Sequence, residues 1–483
     1  MVLFLFGALC SSVLSAAVAS QAPFNVESDL FHLALNSTAP FVFNELYSLL
    51  TQWPNVLHPN GHVVIPGELA AYTLMYHSRK DTDVPPPSPE WFAFDPEMSY
   101  AIMATKLPGP TYWTTWRTLR PAKIVYLDGM AAAWGEGWLD SQHALIAGTS
   151  KQNATSQISI FDDYARAGKL CELFTPMDVD GIIRMNGGFR PADGPGGHRG
   201  KPSGPGGKPE EPGGPEGRPG RGPGRDHMVN SGPLARSGNL EWLRASARRP
   251  FSLQPHLKLS YKDMVTFHHP RLSSLVEAQR GRPMSEHFIW AHISDADILS
   301  VLEEVKSVLT RDSEHAGTNM DWQTTARDVV DYWADRIVQL HERLTSYNET
   351  GNATQLVVDV QQLSYTLLNP YLDYGASLDA SGWELVASAI PRCASEATGL
   401  FNEPAFSALM TPQERLLKTS IDTVLQRLCG DFGALFAEST ELRGTPASLE
   451  LAQSWTAKVA SLMEWLDWGA WLRCSEVCSR DVS

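Results

Sequence analysis

Basic residues are scarce in this 483-residue chain, which limits the partners that it can bind. It contains 39 Lys and Arg residues against 54 Asp and Glu residues, for a net charge of −15. A protein that binds nucleic acid neutralises phosphates with basic side chains, so this balance argues against nucleic-acid partners. The hydrophobic fraction of 43% is nevertheless typical of a globular protein that buries a core.

Long apolar segments are also missing after the first 20 residues. Residues 1–20 carry no charge and end in the small residues Ala17 to Ala19, which is typical of a secretory signal peptide. No later run is long enough for a transmembrane helix, and the polar C-terminus carries no lipid-anchor signal. We therefore expect a soluble, secreted extracellular protein without a transmembrane anchor.

Four acceptor sequences for N-linked glycosylation agree with secretion, and each has threonine in its third position. The acceptor residues are Asn36, Asn153, Asn348 and Asn352. One such sequence often arises by chance, whereas four in a chain with a predicted signal peptide favour a eukaryotic secretory pathway. We expect a glycoprotein.

Cysteine is infrequent, with six residues, of which Cys10 lies in the predicted signal peptide. We predict disulfide bonds within one group of four cysteines near the C-terminus, with Cys171 as a free, buried thiol. This group consists of Cys393, Cys429, Cys474 and Cys478. The alternative is a bridge from Cys171 to one of them. The spacing of Cys474 and Cys478 matches neither a zinc site nor a redox Cys-x-x-Cys motif, so we expect no metal there.

A segment rich in glycine and proline interrupts the chain at residues 187–226. Fifteen of its 40 residues are Gly and nine are Pro, but glycine does not recur at every third position, which excludes collagen. Such a composition cannot bury enough apolar surface to fold, so we predict disorder. The favoured interpretation is a tolerated surface-loop insertion, and a flexible protein-binding tether is the alternative.

The remaining pattern predicts an α+β protein. Short apolar runs in residues 21–186 indicate strands, and residues 227–293 continue the sheet region with further runs such as His287–Ile293. Residues 294–483 show helical periodicity and form a largely helical part. Helix starts are predicted at Ser294 and at Thr411, where Glu414 completes a capping box.

An acidic cleft is predicted in the first part of the chain. Asp128 follows the apolar run Ile124–Leu127, while Asp180 precedes another run, and Asp140 lies between them. Carboxylates at strand ends could converge and act as acid and base in hydrolysis, with Glu136 as a further candidate. Three carboxylates could instead hold a divalent cation, or they could simply form turns and a helix cap.

Aromatic and basic residues near this cleft could bind substrate. Trp134 and Trp138 could stack on sugar rings, or pack in the core, and Arg184 is a further candidate contact. The histidines at 268, 269, 287 and 292 are interpreted as turn and strand-edge residues. No Gly-x-Ser-x-Gly sequence, phosphate-binding loop or dinucleotide fingerprint occurs, so neither a serine hydrolase nor a cofactor is expected.

Several segments resemble uncharacterised secreted proteins of filamentous fungi. They are residues 124–132, residues 139–142, residues 180–185 and the helix that contains Trp322. The resemblance implies export and a shared fold, but no activity. In that family an acidic residue follows the Arg-Met pair, whereas Asn186 occupies this position here. If that acid takes part in catalysis, this chain is inactive.

Two functions follow from these observations. The first is a secreted hydrolase that acts on carbohydrate, with Asp128 as the essential carboxylate and Asp180 as its partner. The second is a secreted binding or cell-surface interaction protein without catalysis, whose ligand is a glycan, a cell-wall polymer or another protein. A shared open cleft for Asp128, Asp140 and Asp180 would favour the hydrolase, and scattered carboxylates would favour the binding protein.

Overall fold

The computed structural model describes most of the chain in several ranges. They are residues 37–51, 61–82, 86, 89–100, 109–129, 137–155, 157–159, 162–184, 256–312, 316–348, 351–373 and 380–471. Several features predicted from the sequence lie outside these residues: the signal peptide 1–20, the insert 187–226, Asn36, Trp134, Glu136, Cys474 and Cys478.

Strands occur in the first part of the chain and long helices in the second. The strands are β1 (Val63–Leu69), β2 (Leu74–Arg79), β3 (Tyr112–Arg117), β4 (Ala122–Leu127), β5 (Gly181–Arg184), β6 (Leu257–Leu259) and β7 (Val265–Thr266). The helices are α1 (Ala39–Ser48), α2 (Asp140–Ala147), α3 (Asp163–Phe174), α4 (Ser273–Gln279), α5 (Asp295–Thr310), α6 (Trp322–Ser346), α7 (Ala353–Leu368), α8 (Gly382–Ser395), α9 (Pro404–Ser407), α10 (Pro412–Glu441) and α11 (Leu449–Leu466). The predicted α+β class is confirmed.

The main sheet has five strands and mixed pairing. Its order is β5-β4-β1-β6, and β7 also pairs with β1. Strand β4 is antiparallel to β1 and parallel to β5, while β6 and β7 are antiparallel to β1. Strands β2 and β3 form a separate antiparallel sheet of two strands. The chain before and after residues 187–226 thus contributes to one sheet.

Each face of the main sheet packs against helices. Since side chains alternate along a strand, Ile65 and Tyr126 enter a core shared with α1, α6 and α10. Val64 and Val125 enter a second core on the opposite face, together with residues of α2, α3 and α5. Helix α5 is the first helix of the predicted helical part, and it packs directly on this face of the sheet.

Side-chain caps begin several helices where the sequence predicted them. Ser294 accepts a hydrogen bond from the backbone N–H of Asp297 (3.2 Å) at the start of α5. At the start of α10, Thr411 and Glu414 form the complete predicted capping box. These caps satisfy N–H groups that would otherwise lack partners in the first turn of each helix.

The predicted strand His287–Ile293 is wrong. A short 3₁₀ helix covers Met284–Glu286, and the backbone N–H groups of His292 and Ile293 both bond to the carbonyl oxygen of Ile289. The buried residues Ile289 and Ile293 are four positions apart, which suits one face of a compact turn. The apolar residues alone could not distinguish this turn from a strand.

One predicted disulfide bond is present. Cys393 on α8 and Cys429 on α10 are bonded, with Cα atoms 6.0 Å apart. Cys171 is a free thiol, as predicted, but it is half-buried on α3 rather than fully buried.

None of the helices in the described ranges is both long and apolar enough to cross a bilayer.

Candidate functional site

Asp128 is buried where β4 ends, at one end of the main sheet, with only 2% of its surface exposed. The hydroxyl of Tyr126 donates a hydrogen bond to Asp128 Oδ1 (2.7 Å). Burial raises the pKa of Asp128 to about 6, although hydrogen bonds from Tyr126 and from the Gly129 backbone oppose this increase. Such shifted carboxyl groups occur often at functional sites.

Asp180 lies at the other end of the strands from Asp128. Its backbone N–H donates to the carbonyl oxygen of Lys123. Asp128 lies five residues after Lys123, and a strand rises about 3.3 Å per residue, so Asp128 and Asp180 are about 16 Å apart along the strand direction. Its carboxylate pairs with Arg120 Nη2 (2.6 Å), and this contact lowers the pKa of Asp180. The structure therefore does not bring Asp128 and Asp180 together in one cleft.

Asp140 begins α2 and lines an open cavity of about 520 Å³. Burial raises the pKa of this carboxyl, while hydrogen bonds from backbone N–H groups, including that of Trp290, lower it in part. The cavity is also lined by His143, Lys151 and Phe288. Among the predicted catalytic residues that the structure describes, Asp140 is the one that lines this cavity.

The walls of this cavity combine a neutral imidazole with aromatic rings. Burial, together with the positive charges of Arg166 and Lys151, lowers the pKa of His143 to about 4. The ring centroids of His143 and Trp290 are 5.1 Å apart. Trp138 is half-buried and is not among the described residues that line the cavity.

Arg184, a predicted substrate contact, is already engaged at the end of β5. Its two terminal nitrogens donate to the Asp163 carboxylate at 2.7 and 2.5 Å. Its guanidinium also lies 3.4 Å from the ring centroid of Trp91. These contacts bury the side chain to 8% exposure and connect the sheet to α3, so a substrate would have to displace them.

A second polar group is buried between α1 and the end of the sheet. Glu45 on α1 lies close to two imidazoles: its Oε1 is 3.5 Å from His62 Nδ1 and 3.6 Å from His268 Nε2. The rings of His62 and His268 stack with centroids 4.1 Å apart. The hydroxyl of Thr266 donates to Glu45 Oε2 (2.7 Å). We call Glu45, His62 and His268 the Glu-His-His cluster.

Burial shifts the pKa values in this cluster. Desolvation raises the pKa of Glu45 well above its usual value, and the charge of the nearby Asp128 raises it further. Desolvation also lowers the pKa of His268, and His62 and His287 act in the same direction. Gly61, which directly precedes His62, packs closely against the end of β4, because a Cβ atom there would lie 1.9 Å from the Asp128 carbonyl oxygen.

One short segment lies between the cavity and the Glu-His-His cluster. The His287 ring packs against Phe41 (4.6 Å between centroids) and lies 5.4 Å from the His268 ring. The following residue, Phe288, lines the cavity together with Trp290. The two sites are therefore neighbours on either side of residues 287–290.

Sequence reasoning missed Glu45 and His62; it interpreted His268 as a turn residue, and His268 does lie in the turn that follows β7. Glu45 lies on α1, His62 directly precedes β1 and His268 lies in the turn after β7, so no short motif unites them. No local signal could have found the group, because its members meet only in the folded chain.

Three of the predicted glycosylation acceptors are exposed in the described residues. Asn348 precedes the start of α7, and Asn352 caps this helix by accepting from the backbone N–H of Gln355 (3.1 Å). The Asn153 side-chain amide donates to Asp295 Oδ2 (2.6 Å). A glycan on Asn153 would therefore have to form beside this hydrogen bond.

Known proteins match only part of the chain. The family model described as the YPL277C N-terminal domain matches residues 29–112, a range that includes Glu45 and His62. Uncharacterized protein YOR389W of Saccharomyces cerevisiae is 27% identical over 203 residues, which cover 32% of this chain and 30% of that protein. Uncharacterized protein YPL277C of the same yeast is 27% identical over 204 residues, which cover 32% of this chain and 39% of that protein.

The chain is similar to an uncharacterised fungal protein family. The match spans well under half of the length of either yeast relative. No solved structure matches the chain.

Proposed function

We propose that this protein is a secreted hydrolase that acts on carbohydrate in the cavity beside α2. The observation that carries the proposal is the presence of Asp140, His143 and Trp290 around one open cavity of about 520 Å³. Polar groups with shifted pKa values among aromatic side chains are typical of active sites. The apolar N-terminal segment and the four glycosylation sequences support secretion.

Asp140 would serve as the general acid. Because burial raises its pKa, this carboxyl keeps its proton to a higher pH than an exposed aspartic acid. During hydrolysis it would give that proton to the glycosidic oxygen as the bond between the sugar carbon and this oxygen breaks. The leaving group then departs as a neutral hydroxyl.

His143 would serve as the general base. It follows Asp140 by three residues, so both side chains project from the same side of α2. With a pKa of about 4, its imidazole is neutral in mildly acidic and neutral solution. It can therefore accept a proton from the water molecule whose oxygen forms the new bond to the sugar carbon.

Aromatic residues would hold the sugar. The indole N–H of Trp290 donates to the carbonyl oxygen of Thr149 (3.1 Å), which fixes the ring at the cavity wall. Phe288 adds further apolar surface, while Gln157 and Ser159 offer polar groups to sugar hydroxyls. Such a mixture suits a ligand with both apolar faces and hydroxyl groups.

A second candidate is a glycan-binding protein without catalysis. Two observations favour it: Asp128 and Asp180 lie at opposite ends of the strands and share no cleft with Asp140, and Asp140 is the only carboxylate among the described residues lining the cavity. Most glycosidases use two carboxyl groups on either side of the bond that breaks. Binding without turnover would need only the aromatic wall and the polar groups.

Replacing Asp140 by asparagine tests the hydrolase. We expect turnover of the best substrate in a glycan panel to fall by about 100-fold or more, because an amide cannot donate the proton. Asp431→Asn is the matched control: burial also raises the pKa of Asp431, but this residue lies on α10 and pairs with Arg427 Nε (2.5 Å). The control should keep full turnover.

The outcomes of this test separate the two candidates. Undiminished turnover in Asp140→Asn would contradict the hydrolase. A wild-type protein that binds glycans in calorimetry but hydrolyses none would support the binding protein instead. A wild type that neither binds nor hydrolyses any glycan would contradict both.

His143 should also make stability depend on pH. Its folded pKa of about 4 lies below the ordinary value of 6.5, so the unfolded chain binds more protons between these values. The contribution of His143 to the free energy of unfolding is therefore complete above pH 6.5 and is lost as the pH falls towards 4. The expected loss is about 3 kcal/mol. Urea unfolding of the wild type and His143→Gln at several pH values measures it, and identical pH profiles would refute it.

A further inference from the structure

We propose that the Glu-His-His cluster binds one divalent transition-metal ion through Glu45, His62 and His268. Two imidazoles and one carboxylate are a common ligand set for Zn²⁺ and for Fe²⁺ in proteins. The site is distinct from the cavity beside α2, and it does not depend on the proposed hydrolase activity. No motif in the sequence indicates it.

The distances between the donor atoms suit a metal ion. One ligand atom from each of the three residues lies within 4.8 Å of the other two. Glu45 Oε1 is 3.5 Å from His62 Nδ1 and 3.6 Å from His268 Nε2. Ligands about 2.1 Å from a tetrahedral zinc ion are separated by about 3.4 Å. Both carboxylate-to-imidazole distances are therefore close to the separation between two ligand atoms of a zinc ion. The two imidazoles would shift slightly towards the ion when it binds.

Two of these atoms also lack another partner. Glu45 Oε1 and His268 Nε2 are buried and have no hydrogen bond within the described part of the chain. Gln279 Oε1 lies 3.1 Å from His268 Nδ1, and with the amide in this orientation the oxygen accepts the Nδ1 proton. His268 Nε2 then presents a lone pair towards an oxygen lone pair of Glu45. A cation between the two atoms would satisfy both.

The charge of the region favours a cation as well. Glu45 and Asp128 are both only 2% exposed. Among the described residues, neither carboxylate forms an ion pair with a lysine or an arginine. Burying a carboxylate without a compensating positive charge is unfavourable, because the charge loses its hydration. A divalent ion would supply the missing positive charge.

Neighbouring side chains already orient the ligands. The Thr266 hydroxyl donates to Glu45 Oε2, which directs Oε1 towards the imidazoles. Gln279 fixes the ring of His268 through its Nδ1. Metal-binding histidines usually make such a hydrogen bond with their second nitrogen, and its loss typically weakens metal affinity about 10- to 100-fold.

The experiment measures metal binding by the full-length protein. After treatment with a chelator, the wild type is titrated with Zn²⁺ and, without oxygen, with Fe²⁺. We expect about one ion per chain and a melting temperature that rises with ion concentration. Glu45→Gln and His268→Ala should each weaken binding by more than about 100-fold, and Gln279→Leu by about 10- to 100-fold. His77→Gln, a buried histidine outside the cluster, is the control and should keep wild-type affinity.

X-ray absorption of the zinc-loaded wild type supplies a test that needs no variant. It should show imidazole nitrogen among the zinc ligands. Uptake of neither ion by the wild type would overturn the proposal, as would a spectrum with oxygen ligands alone. Wild-type affinity in folded Glu45→Gln and His268→Ala would also overturn it, because the ion would then bind elsewhere.

Discussion

Replacing Glu414 by alanine should lower the free energy of unfolding by about 3–5 kcal/mol. The Glu414 side chain is fully buried and accepts hydrogen bonds from four donors. These are the backbone N–H and hydroxyl of Thr318, the indole N–H of Trp322 (3.1 Å) and the backbone N–H of Thr411 (2.9 Å). Without the carboxylate these donors lose their shared acceptor, and the start of α10 loses half of its capping box.

Glu384→Ala is the matched control for this effect. Glu384 occupies the same capping-box position at the start of α8, where it accepts from the backbone N–H of Ser381 (2.7 Å) in an exposed setting. Its loss should cost about 1 kcal/mol, as is usual for a cap. Urea unfolding of both variants measures the difference. Equal losses would show that Glu414 acts only as a cap and not as a link to Thr318 and Trp322.

Removing the disulfide bond should have an effect of similar size. In the double variant Cys393→Ala and Cys429→Ala, the free energy of unfolding should fall by about 3–4 kcal/mol. The bond joins α8 to α10 and closes a loop with a sequence separation of 36. Without it the unfolded chain has a higher conformational entropy, which favours unfolding. Both cysteines are buried, and the truncation therefore also removes packing between these helices.

Cys171→Ala separates this effect from a general sensitivity to cysteine loss. Cys171 is free and half-buried, so its substitution should change the stability by less than about 1 kcal/mol. Unfolding curves of both variants, together with peptide mapping under non-reducing conditions, measure the two effects. A peptide that links Cys171 to another cysteine would contradict the assignment.

Local features of the fold could be predicted from the sequence. The capping box of Thr411 and Glu414 and the apolar strand Ile124–Leu127 depend on residues close together in the chain. Such signals act over one helical turn or one strand, where propensity and hydrogen bonding decide the structure. The bond between Cys393 and Cys429 falls within the predicted group of four cysteines, but the helix-end argument for it is wrong: Cys429 lies in the interior of α10, and the bond follows from the packing of α8 along α10.

The arrangement of the candidate sites could not be predicted in this way. The sequence placed Asp128 and Asp180 together because both border apolar runs. Their separation follows from the parallel register of β4 and β5, in which Asp180 comes before its strand and Asp128 after its own. Likewise, Glu45 meets His268 only because α1 packs over the end of β7, and that contact joins residues 223 positions apart.

Strand β1 pairs with β4 on one side and with β6 and β7 on the other. Residues 187–226 therefore separate, along the chain, strands that are joined side by side in the sheet. A protease that cut within this segment would not release two independent domains, because each fragment would hold only part of the sheet. The product should be a nicked protein of two chains, held together without a covalent link by the hydrogen bonds of β1 and the cores on both faces.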